Sequence, residues 1–395
     1  MKKEILIVAL VASALGAGII LWQMGKTGAV SSVANARAPG RASENEPLPR
    51  GRSLVPGNRA QEPPPRVSPE GARARGDQPA VQGHPTPSPA LAPPTEEVRE
   101  AADIPSPPGI PLAEAALSPS GEKLLFGSAS GRGLAIHDMA SNSELTVSSA
   151  PGSGYGASWS PRGDRVAYKE VDTASGEENA VVYDTGTGTA TALNKEGRQC
   201  GTPVFSQSGS VGFAAGDAIY LYDENLDFRK KIAVDENVRQ MAFSPDGERV
   251  GIVTVRGLFL VDTGDGGKKE IARTSAEYLQ PHFSPDGKRI ALGTSSADLH
   301  IADVASGDIW NAGRGECPQW FSDGARVIFL RNRRLLIDGV NQSEIVIADA
   351  AKRTKRAIFE TKEEILSGLS VSSDEKKASC ISSDGKTVKI FSLAR

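Results

Sequence analysis

Four histidines, three cysteines and many Ser and Asp residues are what this 395-residue chain has for chemistry. Zinc needs His, Cys or carboxylate ligands that converge, yet His137, His282 and His300 fall in or beside strands of separate repeats. His84 lies in a Pro-rich stretch. Cys200, Cys317 and Cys380 form no C-x-x-C pair and read as buried small apolar residues, with one disulfide plus a free thiol as the alternative. Asp262-Thr263-Gly264-Asp265-Gly266-Gly267 has the look of a calcium loop but lacks the downstream bidentate Glu, so a hairpin turn accounts for it. The run Gly152-Ser153-Gly154-Tyr155-Gly156 is not followed by a helix and makes a poor phosphate cradle. No G-x-S-x-G elbow is present and no nucleophile stands beside a base. The pairs Glu177-Glu178 and Glu363-Glu364 sit in loops and read as solvated. No catalytic group, metal or cofactor is expected.

The elements that must carry any site are repeats. An apolar residue, a Ser-Pro-Asp-Gly-like turn and an alternating apolar run recur as LSPSGEKLLF from Leu117, WSPRGDRVAY from Trp159, FSQSGSVGFA from Phe205 and FSPDGERVGI from Phe243. They continue as FSPDGKRIAL from Phe283, WFSDGARVIF from Trp320 and VSSDEKKASC from Val371. Seven copies at intervals of 37 to 51 residues suit one four-stranded blade each. The strand after each copy ends in Asp at 138, 184, 223, 262, 303 and 349; the seventh ends at Ser392. Physics explains both features without function: Pro presets φ, Asp bonds nearby backbone N–H groups and Gly accepts positive φ.

FSPDGERV and FSPDGKRI, each followed by a strand ending in Asp, resemble the WD-like repeats of TolB-type propellers over residues 113–395. The resemblance implies an all-β propeller, here most simply of seven four-stranded blades, six being the count in TolB itself. Related repeats build periplasmic interaction domains and the non-catalytic propellers of prolyl oligopeptidase-like peptidases. No hydrolase domain is expected beside them here, since the sequence holds no G-x-S-x-G elbow. The chain ends after the third strand of its last blade, so the missing outer strand is expected from about residues 100–108.

In propellers the residues just before each innermost strand rim one mouth of the central channel. That rule selects Tyr155, Arg198, Gln199, Arg239, Gln240, Tyr278, Gln280, Glu316 and Gln319, a set containing the Tyr and Arg that anchor interfaces. The binding residues expected are Tyr155, Arg198, Arg239, Tyr278, Gln280 and Gln319. Three departures from the repeat add loops: EVDTASGEEN from Glu170, the basic turn Arg331-Asn332-Arg333-Arg334, and FETKEEILSG from Phe359, long enough for a helical turn.

Ahead of the repeats, Ile5 to Met24 is an apolar run long enough to cross a bilayer, preceded by Lys2 and Lys3 and closed by Trp22. Residues 1–26 therefore read as a signal-anchor, or as a signal peptide if cleaved. Residues 27–112 read as a disordered Pro/Ala/Arg-rich linker, with Arg37, Arg41, Arg50, Arg52, Arg59, Arg66, Arg73 and Arg75 in its first half. Residues 113–395 are the propeller. A net charge of -3 and 5% aromatic residues argue against nucleic-acid binding. The expectation is a membrane-tethered periplasmic propeller that binds a protein partner of the cell envelope, with a small molecule or glycan as the alternative ligand. A channel-site enzyme (hydrolase, lyase or lactonase type) and a structural spacer are the competing readings.

Overall fold

The computed structural model describes residues 98–107, 110–193, 199–273, 277–334 and 341–393. Among these residues the chain forms seven four-stranded antiparallel sheets, the blades of a propeller. The N-terminal apolar run, most of the expected linker, and Arg198 lie outside the described residues. No helix among the described residues is long and apolar enough to cross a membrane.

Each blade is built by one copy of the repeat, its strands running outward from the axis. The two middle strands are packed on both faces by neighbouring blades, which is why they read as near-continuous apolar runs. In the third blade Val211–Ala215 and Ala218–Tyr222 are buried throughout, whereas the outer strand Phe228–Ala233 buries Ile232 alone. Aromatic side chains stitch blades together across the backbone. The Trp159 Nε1–H donates to the Ala116 carbonyl at 3.1 Å, and that of Trp320 to the His282 carbonyl at 2.8 Å.

The repeated turn residues have structural duties. The Ser244 hydroxyl, fully buried, accepts from the Arg249 N–H at 3.0 Å and donates to the Asp246 carboxylate, closing the turn that Gly247 completes at φ 73°. Ser284 repeats this with Arg289 and Asp286, and Ser372 with Lys377 and Asp374. In six blades the Asp closing the third strand caps the next turn: Asp262 Oδ1 accepts from Gly264 and Asp265 N–H at 2.8 and 3.0 Å. The calcium-like run is thus a hairpin turn.

The seventh blade draws its outer strand from the other end of the chain. Val98–Pro105 pairs antiparallel with Thr387–Leu393, from Val98 opposite Leu393 to Pro105 opposite Thr387, with a bulge near Glu100. Lys389 clamps this seam, reaching Glu100 at 2.7 Å, Asp103 at 3.7 Å and Glu364 at 3.3 Å. The ring is closed by the segment expected from the missing strand, and the linker boundary drawn at residue 112 moves to before Val98. The physical reason is pairing: an N-terminal strand satisfies the edge that the last blade would otherwise expose. Glu364, expected to be solvated, is one of the Lys389 partners. The 359–368 connection forms no helical turn; its first residues extend the outer strand Thr354–Thr361.

Candidate functional site

Counting back from the apolar residue that opens each copy (Leu117, Trp159, Phe205, Phe243, Phe283, Trp320, Val371) aligns the seven innermost strands. One residue back stand Ala116, Ser158, Val204, Ala242, His282, Gln319 and Ser370, all partly open. Two back are Ala115, Ala157, Pro203, Met241, Pro281, Pro318 and Leu369, all buried. Three back are Glu114, Gly156, Thr202, Gln240, Gln280, Cys317 and Gly368, partly open except Gly156. This period of two is the alternation of a strand with one set of side chains packed between blades and the other lining the channel. The lining therefore has two layers, a polar upper one led by Glu114 and a lower one containing His282 and Gln319.

Glu114 shows how closely the upper layer converges. Its Oε2 accepts from the Ala157 N–H of the second blade at 3.2 Å, and its charge also acts on Cys317 of the sixth blade, two blades away in the other direction. Only a side chain near the axis reaches both. Surrounded by protein yet open to the lumen, its carboxyl is pushed up to about 7 by burial, against the pull of the Ala157 and Gly156 N–H groups. Among the described residues no Lys or Arg forms an ion pair with it. His282 is driven down to about 4 by burial, so its imidazole is neutral at physiological pH. Burial, helped by the Glu316 charge, pushes the Cys317 thiol up to about 11, so it is not a ready nucleophile.

The upper layer is also where backbones bend. Gly156 and Gly368 take φ 71° and 62°, and so do the non-glycine residues Gln280 (34°) and Cys317 (53°) at the same position. For an L-residue that region costs about 1–2 kcal/mol. The Gln280 N–H is held by Gln240 Oε1 of the preceding blade at 2.9 Å.

The expected site residues separate on this frame. Four residues back from the motif, at the mouth, are Tyr155, Arg239 and Glu316. Tyr155 packs beside the Ala129–Gly131 turn with its hydroxyl donating to the Ala129 carbonyl at 2.7 Å, and Arg239 is ion-paired with Glu277. Gln280 and Gln319 line the channel. Tyr278 does not: it is 1% exposed, in the core of the fourth and fifth blades against Val253, Leu258 and Leu292. Its position, five back, is buried in every blade (Leu112, Gly154, Cys200, Val238, Gly315 and Leu366 in the others), so a Tyr there is a packing residue. His300, its neighbour at 3.4 Å, is thereby structural. Glu114 was missed in the sequence; its signal was a lone carboxylate in the otherwise apolar innermost strand Leu112–Leu117.

Cys200, Cys317 and Cys380 are free thiols, Cys200 and Cys380 buried as expected and Cys317 partly open. No three His, Cys, Asp or Glu side chains converge as metal ligands among the described residues. The architecture thus defines the class of protein, a seven-bladed β-propeller with a polar-lined central channel. A comparison with known protein families finds no match, and one with curated proteins finds no significant relative. The likeness to TolB-type repeats rests on the repeat residues themselves.

Proposed function

We propose that this chain is a binding scaffold of the cell envelope, held at the membrane by residues 5–24 and docking a protein partner at the channel mouth. The observation that carries this reading is the mouth itself. The second, fourth and sixth blades deliver Tyr155, Arg239 and Glu316 to one ring, and the layer beneath is polar and made of uncharged groups apart from Glu114. Rigid elements that present a Tyr and charged residues around a depression suit docking, because few side chains lose freedom on binding. Val98 enters at the end of the seventh blade opposite this mouth, where Leu393 also lies.

Photoreactive residues replacing Tyr155, Arg239 or Glu316 in turn, in the full-length chain in its native membrane, test this. One envelope protein cross-linked from all three positions is the expected result. A folded and exported chain that yields no protein cross-link from any of them would overturn the docking reading and turn attention to a small molecule or glycan in the channel.

A further inference from the structure

We propose that Glu114 is the recognition point for a cation, an ammonium or guanidinium group of a side chain that the docked protein inserts along the propeller axis. This rests on the docking reading above and adds the chemistry of the contact.

Three observations support it. Glu114 is the one ionisable carboxylate in the two lining layers, and it is reached from the lumen while protein surrounds it. Its polar partners are backbone N–H groups of Ala157 and Gly156, and none of the described cations pairs with it. Among the described residues, the two lining layers include no Lys or Arg to take that place. Arg239 at the mouth is committed to Glu277, and the next charged neighbour of Cys317 is another carboxylate, Glu316. A carboxylate placed at the centre of a ring, desolvated and without a counter-charge, is destabilising in the free protein, and an incoming cation relieves that cost.

The rest of the layer fits such a guest. Gln280 and Cys317 keep left-handed backbones that Gly156 and Gly368 adopt without cost, and so retain polar side chains in the layer of Glu114. The Thr202 hydroxyl and the Gln amides offer acceptors for the N–H groups of a guanidinium or ammonium beyond those that Glu114 satisfies.

The test uses full-length protein in detergent and the capped tripeptide acetyl-Gly-Arg-Gly-amide, with its neutral citrulline isostere as control. Carboxyl-labelled Glu should show the Glu114 resonance titrating at lower pH when the Arg peptide is added, and no change with citrulline. Glu114→Gln keeps an acceptor for the Ala157 N–H, and near-UV circular dichroism checks that it folds; it should weaken the Arg peptide by about tenfold or more. Equal binding of both peptides, or of the Arg peptide to both proteins, overturns the proposal. Cross-linking from Tyr155 separates the two readings. A partner captured equally by wild type and Glu114→Gln leaves docking intact and removes the cation contact. A wild-type protein that discriminates the peptides but captures no partner does the reverse.

Discussion

Glu114→Gln should make the propeller more stable at neutral and alkaline pH, by an amount that vanishes in weak acid. The Glu114 carboxyl ionises near its ordinary value of 4.5 in the unfolded chain and at about 7 in the fold. Because the folded value is raised, the folded state holds the proton more tightly. Stability is therefore full below pH 4.5, falls as pH rises between 4.5 and 7, and stays reduced above that. At about 1.4 kcal/mol per pH unit the loss is on the order of 3 kcal/mol. Gln carries no charge to desolvate and can still accept from Ala157, so the variant should escape the loss. At pH 8.5 its midpoint should exceed the wild type by about 5 °C or more, and at pH 4.5 the two should coincide, to within about 1 °C. Thermal and urea unfolding of the full-length protein across that range checks both limbs. Parallel stability curves for the two proteins would refute the burial of a lumen carboxylate without a counter-ion.

The acid limb should run the other way. Asp138, Asp184, Asp223, Asp262, Asp303 and Asp349 are all held below the usual carboxylate range, first by the backbone N–H groups of the turns they cap. Their stabilisation is present above the unfolded Asp value and is lost as pH falls through the lower folded values, so Asp262→Asn should flatten the stability curve below about pH 4. Gly247→Ala should cost about 1 kcal/mol in urea unfolding through backbone conformation alone, since nothing lies within 4 Å of the added methyl at φ 73°. Lys389→Met leaves Glu100, Asp103 and Glu364 facing one another without their cation, and hydrogen exchange should show faster opening of Val98–Pro105 than of any other outer strand.

Blade number and strand order were legible because the repeat is local: Ser, Asp and Gly close turns with partners two to five residues away. Ring closure was legible by counting, since a blade lacking an outer strand at one end of the chain needs it from the other. Tyr278 was misjudged for a reason the same repeat explains. Residue type marked it as an interface anchor, but its phase in the strand, five back from Phe283, is buried in all seven blades. Glu114 escaped notice because nothing in AEAAL distinguishes a solvated Glu from one at an axis; that depends on which strands surround it. Its coupling to Cys317, 203 positions along the chain, arises only once the ring is shut.

Closure and the axial site are therefore linked physically. Glu114 belongs to the first blade, and its surroundings include the sixth and second, with the seventh completed by Val98–Pro105 between them. The closing blade also places Ser370, whose hydroxyl accepts from the Leu117 N–H at 3.0 Å, at the foot of the same strand that carries Glu114. Loosening the seam at Lys389 should let that strand relax outward and admit water to the Glu114 carboxyl, lowering its pKa toward the ordinary value because desolvation is what raised it. Carboxyl NMR on Lys389→Met can read this directly. A Glu114 titration unchanged in a variant whose closing strand exchanges faster would show that the inner ring holds its shape independently of the outer edge.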